Sequence, residues 1–184
     1  EATMQTLLFA LSQFELQLVS NQSKYDGYMQ NDKLVLFSKQ EKKGLKLFRQ
    51  NCASCHTEPL FTNREFENNG LPIDSELQDY GRMRITNLSK DSLQFKVPTL
   101  RNIKFTSPYM HDGRFHSLRE VLNHYTEGIQ DSPALSKKLK KRIILSENDK
   151  TDIIAFLYTL TDKTFLFNPD YSFPKSFFFP SSKE

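Results

Sequence analysis

Apolar residues recur at helical spacing in four stretches of this chain and almost nowhere between them. Positions 4, 7, 8, 11, 14 and 18 follow the i, i+3, i+4 rule, which predicts an amphipathic helix from Met4 to Val19 that packs against the rest. A polar stretch with Asp26-Gly27 then reads as a loop. Ser38-Lys39-Gln40-Glu41 is a capping box, in which hydroxyl and carboxylate satisfy each other's backbone N–H groups, so a helix is expected from Lys39 to about Gln50. Residues 57–106 are rich in Asn, Asp, Gly and Pro, and they predict a long irregular excursion with one or two short strands near Arg82 to Asn87. Ser117-Leu118-Arg119-Glu120 repeats the capping box and puts Leu118, Val121, Leu122 and Tyr125 on one face, with Tyr125 turned inward and His124 turned out. A third capped helix starts near Ser146, carries Ile153, Phe156, Leu157 and Leu160 inward, and ends before Asp162. From Lys163 onward Phe165, Phe167, Phe173, Phe177, Phe178 and Phe179 are interleaved with Pro169, Pro174 and Pro180. Proline opposes a helix there, and so aromatic a segment needs cover, so an extended strap along the domain or under a partner is expected.

These elements predict an all-α domain with long loops and no internal repeat. The 184 residues, 38% of them hydrophobic, are enough for a real core. No run approaches the roughly 20 apolar residues of a membrane span, and Thr6 to Leu11 is too short and lacks the basic flank of a signal peptide. The net charge of +3 is spread among interspersed charges, so no nucleic-acid stripe is indicated.

The two cysteines change the picture, because both lie in Cys52-Ala53-Ser54-Cys55-His56 at the end of the second helix. CxxCH is the attachment signature of c-type haem. Thiols one helical turn apart reach the two vinyl groups, and the next histidine sits beneath the iron. His56 is then the proximal ligand, with its other ring nitrogen donating to a nearby carbonyl, for which Pro59 is the candidate by proximity. Three other readings compete. A thioredoxin-like pair would want a helix beginning at the motif rather than ending there. A zinc site of Cys52, Cys55, His111 and His116 has a gap far from finger spacing. The third is two buried cysteines beside an unrelated histidine. Gly44, four residues before Phe48, supports the haem reading: a glycine notch beside an aromatic lets another helix, the Phe156/Leu157 face, cross closely.

From Ala10 nearly to Asp162 the chain resembles the C-terminal half of the bacterial dihaem cytochrome c peroxidases and of the related methylamine dehydrogenase maturation enzyme. The resemblance rests on Phe14-Glu15 to Ser20, Tyr25-Asp26-Gly27-Tyr28, Gly44 to Phe48, the CxxCH run with Pro59-Leu60, Phe95-Lys96-Val97-Pro98-Thr99-Leu100-Arg101-Asn102, Ser107-Pro108-Tyr109-Met110-His111-Asp112-Gly113-Arg114-Phe115 and Ala155-Phe156-Leu157. It implies a cytochrome c-like domain with one covalent haem c, which takes electrons from a small donor protein or quinol-linked carrier. It passes them to a peroxide-reducing haem on an N-terminal half. Residues 1–37 would then be the helix and linker from that missing domain, 38–162 the haem domain and 163–184 the tail. A start without initiator methionine, inside an amphipathic helix, fits an excised piece.

The resemblance also bears on the second axial ligand. The peroxidases carry a methionine on the helix after the His-Asp-Gly loop, the maturation enzyme a tyrosine, and this chain has Tyr125 there. The alternatives are a packed core tyrosine with Met110 as ligand, or Met83, Met29, a histidine or an open site. His111 and His116 are expected to hydrogen-bond within their loop. Arg101 is a candidate partner for a haem propionate. The family further implies a calcium held partly by carbonyls matching Thr106 and Pro108, and an exported, periplasmic-type compartment, where c-type haem is attached. A stand-alone electron-transfer cytochrome and a zinc-binding interaction module are the alternative functions.

Overall fold

A computed structural model of the chain describes residues 2–173. Its organising event is one helix crossing. Helix α3 (Lys39–Asn51) starts where Ser38 Oγ accepts the Glu41 N–H at 3.1 Å and Glu41 accepts the Ser38 N–H at 2.6 Å. It is numbered third because α1 (Met4–Gln17) and α2 (Lys24–Met29) precede it. Helix α6 (Glu147–Tyr158) starts on the same device, Ser146 with Asp149. The two helices meet at Gly44, where an added Cβ would stand 2.0 Å from the Asp152 carbonyl oxygen and 2.8 Å from Phe156 Cβ. The expected glycine notch is therefore present, with α6 as its partner. Below it Phe48 and Phe156 pack with ring centroids 5.1 Å apart, and Phe61 and Tyr25 close the aromatic cluster. Leu45, Leu118, Leu122, Ile153, Leu157, Leu160 and Phe37 complete the core.

Among the described residues the remaining α-helices are α4 (Met83–Thr86), α5 (Leu118–Asn123) and α7 (Lys163–Leu166), and the one sheet pairs β1 (Phe66–Glu67) with β2 (Phe95–Lys96) antiparallel. Four sequence expectations are corrected here. Asp26-Gly27 is not a loop but part of α2, because Ser23 and Asp26 form their own capping box. Its Tyr25 is buried in the core, so the segment before Ser38 contributes to the domain. No residue of α1 is buried; its face is real, but among the described residues nothing covers it. The strands lie at 66–67 and 95–96 rather than near Arg82 to Asn87, where left-handed Asn87 ends the short α4. The tail is not extended at its start: Asp162 caps α7, which ends before Pro169 opens a 3₁₀ turn. Pro174, Phe177, Phe178, Phe179 and Pro180 lie outside the described residues.

The irregular segment between β1 and α5 is tied down by buried polar side chains. Asn102 donates to Ser20 Oγ at 3.0 Å and accepts the Asp162 N–H at 2.8 Å, while Asp162 accepts from Gln22 at 2.9 Å. These bonds replace the ladder a sheet would supply.

Candidate functional site

The last turn of α3 runs directly into the cysteines. Cys52 donates to the Phe48 carbonyl at 2.7 Å, and the Cys55 and His56 N–H groups both return to the Cys52 carbonyl, at 3.1 and 2.9 Å. The two thiols therefore stand one turn apart, both free and half-buried. Burial pushes the Cys52 thiol up to about 12, with neighbouring Cys55 adding to it, and burial also raises Cys55. A thioredoxin-like pair needs the opposite, a lowered pKa.

His56 settles its tautomer by its surroundings. Nδ1 lies 3.0 Å from the Phe61 carbonyl and 3.2 Å from the Pro98 carbonyl. A carbonyl only accepts, so Nδ1 carries the hydrogen and Nε2 keeps its lone pair for a metal. Burial lowers the ring's pKa, against the smaller upward pull of the two carbonyls, which favours this neutral form. Pro59 is not the acceptor: its carbonyl takes Arg101 Nε at 3.1 Å instead. Phe61, at φ 55, puts its ring into the core and its carbonyl under His56. Thr62 Oγ1 on the Val97 carbonyl and Thr99 Oγ1 on the Leu60 carbonyl, each 2.6 Å, clamp the Val97 to Thr99 run onto this loop.

Arg101 is held by an acidic partner. Nη1 and Nη2 grip Asp26 at 2.9 and 2.8 Å, with both side chains 10% exposed. Its guanidinium thus braces the loop under His56 from inside the fold.

Tyr125 lies in the turn that follows α5. Burial pushes its phenol up to about 12; the Asn69 side chain pulls it back, and Cys52 and Cys55 raise it further. The helix does not continue as α through this point. His124 to Gly128 form a single π-helical turn, which inserts one extra residue into the register. His124 is therefore buried too, at 5% exposure, with Nε2 on the Asn69 carbonyl at 3.0 Å, contrary to the outward direction that regular α spacing predicts. Met110 holds a left-handed backbone, φ 72, and its sulfur accepts from Asn69 Nδ2 at 3.6 Å.

The loop histidines are used otherwise than expected. His111 stacks on Phe95 at 3.7 Å, and His116 reaches Glu120 through its backbone N–H at 3.0 Å. Among the described residues no three His, Cys, Asp or Glu side chains gather as a metal site would need, so the zinc site has no ligand set. Met29 faces Arg49, Met83 lies in α4, and Thr106 and Pro108 stand on an exposed loop. Sequence reasoning missed Phe61, Pro98, Asn69 and His124. The only hint was Asn68-Asn69-Gly70, a turn signal inside polar sequence.

Two thiols a turn apart beside a histidine with Nε2 unprotonated fit a c-type haem. The cytochrome c family matches residues 41–161. The methylamine utilization protein MauG of Methylorubrum extorquens is 35% identical over 153 residues, 82% of this chain and 42% of that protein. The cytochrome c551 peroxidase of Nitrosomonas europaea is 32% identical over 177 residues, 95% of this chain and 48% of that protein. A crystal structure of a MauG-like protein associated with microbial copper homeostasis superimposes with a TM-score of 0.81 at 32% identity, over 95% of this chain and 62% of that one. The chain spans about half the length of these curated relatives. With this fold and this motif, the chain belongs to the cytochrome c family, among the relatives of the bacterial cytochrome c peroxidases and MauG proteins.

Proposed function

We propose that this chain is the electron-transfer haem domain of a dihaem cytochrome c peroxidase-like protein. It receives electrons from a small donor protein or quinol-linked carrier and relays them to a peroxide-reducing haem on an N-terminal half. When bound, a c-type haem supplies reversible one-electron chemistry. Cys52 and Cys55 hold it by thioether bonds, and His56 offers Nε2 while Phe61 and Pro98 fix the ring's rotation. Tyr125 would offer its phenol oxygen to the iron. As an anion it favours the higher charge on a metal and so a lower reduction potential than a thioether gives. The aromatic cluster of Phe48, Phe61 and Phe156 excludes water beside the site. The Thr106 and Pro108 carbonyls are the proposed share of a calcium completed by the other half. c-type attachment occurs outside the cytoplasmic membrane, so the proposed compartment is periplasmic or otherwise exported; no helix among the described residues is long and apolar enough to cross a membrane.

The observation that carries this reading is His56 Nδ1 on two backbone carbonyls beside two thiols one turn apart. The natural full-length gene product tests it. The proposal expects a second CxxCH upstream and peroxide-dependent oxidation of a reduced small cytochrome. Reversible redox without peroxide turnover, and no second motif, would make the chain a stand-alone electron-transfer cytochrome.

A further inference from the structure

Cations crowd into one short segment of an otherwise mixed surface. Lys137-Lys138-Leu139-Lys140-Lys141-Arg142 holds five basic residues in six and no acidic one. That is more positive charge than the chain's net +3, so the rest of the chain is net negative. All five cations are exposed. Two are already paired, Lys138 with Glu67 at 2.5 Å and Lys140 with Asp131 at 3.3 Å, while Lys137, Lys141 and Arg142 have no carboxylate partner among the described residues. The segment is held in shape where it begins. Leu135 and Ser136 are buried, Ser136 Oγ accepts the Lys138 N–H at 3.3 Å, and Lys137–Leu139 forms a 3₁₀ turn.

Its anchors place it beside the cysteine motif. The Ser136 N–H donates to the Asn68 carbonyl at 3.0 Å, and Lys138 grips Glu67 in β1. That strand continues the loop leaving Cys55, whose carbonyl accepts the Asn63 N–H at 2.8 Å. At the other end Arg142 Nε donates to the Thr126 carbonyl at 3.4 Å, in the π-helical turn that carries Tyr125. The basic segment thus ties the strand after CxxCH to the turn after α5. Ile144, 84% exposed, lies two residues beyond it.

We infer that residues 137–142 are the surface on which this domain docks a redox partner protein with an acidic face, Lys137, Lys141 and Arg142 supplying the open charge. This rests on the electron-transfer reading and adds the chemistry of the partner. One electron leaves the partner's reduced centre and takes the haem iron from ferric to ferrous; no atom or proton is transferred. Opposite charges on facing surfaces raise the encounter rate and set orientation more than they add affinity, and salt screens the effect. Weak redox encounters use small interfaces, which a six-residue patch beside one exposed isoleucine suits. An anionic membrane is the poorer match. Binding to a lipid surface favours an amphipathic helix, and here the helical part is a three-residue turn with Leu139 half-buried.

The experiment uses the haem-loaded chain, made with haem-maturation machinery and then reduced. Stopped-flow mixing follows its oxidation by two one-electron acceptors, acidic plant plastocyanin and basic mitochondrial cytochrome c. The plastocyanin rate is expected to fall steeply as salt rises, and the cytochrome rate not to. Lys137→Glu with Lys141→Glu lowers the low-salt plastocyanin rate about tenfold or more and flattens its salt dependence, with the corresponding Gln pair in between. Lys39→Glu with Lys42→Glu makes the same charge change at the end of α3 far from the cysteines, and leaves the rate near wild type. A plastocyanin rate unmoved by the first Glu pair, or lowered as much by the second, overturns the proposal. So does an unmoved rate with lost binding to phosphatidylglycerol vesicles, which assigns the segment to an anionic membrane. A chain without a reversible haem couple fails the electron-transfer reading itself, before either acceptor is mixed, and the docking surface falls with it. A working couple with unmoved rates overturns the docking surface alone.

Discussion

Gly44→Ala sets two simple physical effects against each other. Alanine is the better helix former by about 1 kcal/mol, so on propensity alone the substitution stabilises α3. The crossing with α6 opposes it. The new Cβ would lie 2.0 Å from the Asp152 carbonyl oxygen, 2.7 Å from its carbon and 2.8 Å from Phe156 Cβ. That is about 1.4 Å inside ordinary contact, against backbone that has no rotamer to change, so the helices must separate over Phe48 and Phe156. Overpacking of this kind costs about 1–3 kcal/mol, and lost packing at the aromatic cluster adds to it. The net expectation is a loss of about 2 kcal/mol, read as a melting temperature lower by about 4–8 °C for a domain of this size. Urea and thermal unfolding of the haem-loaded chain measure it. A variant as stable as wild type, or more stable by the propensity difference, would refute the crossing as the centre of the fold.

Arg101→Leu strands the Asp26 carboxylate with both partners mostly buried, and urea unfolding should show a loss of about 3 kcal/mol; a loss under about 1 kcal/mol would mean the pair does not brace the loop. Burial pushes the Asp26 carboxyl up, but Arg101 and Ser23 outweigh it and hold the pKa below the ordinary carboxylate range. A carboxyl whose folded pKa is depressed stabilises the fold above its unfolded value of about 3.9 and loses that contribution as pH falls through the folded value, so acid unfolding below about pH 4 should be shallower in Asp26→Asn than in wild type. In haem-loaded Tyr125→Phe the charge-transfer absorption of a phenolate–iron pair should vanish and the midpoint potential should rise; an unaltered spectrum would make Tyr125 a core aromatic.

The capped helices were legible because their signals are local. Ser38 with Glu41, Ser117 with Glu120 and Ser146 with Asp149 each form where the sequence places them. Gly44 and CxxCH were equally direct, since one spacing rule suffices for each. What the sequence hid depends on residues far apart. The His56 acceptors are Phe61 and Pro98, brought together by a left-handed residue and by threonines reaching across two loops. His124 was misdirected because 3.6-residue periodicity cannot foresee a π-helical turn. The apolar face of α1 was read correctly as a face, but a pattern does not name its partner. The Ser23/Asp26 box was overlooked beneath the turn signal of Asp26-Gly27.

The central claim is that Cys52, Cys55 and His56 form a covalent haem site. Intact-mass measurement of the chain produced with haem-maturation machinery, beside its Cys52→Ala/Cys55→Ala variant, tests it most directly. The account predicts one haem mass retained by the wild type under denaturing conditions and none by the variant. A bare polypeptide mass for the wild type would contradict it.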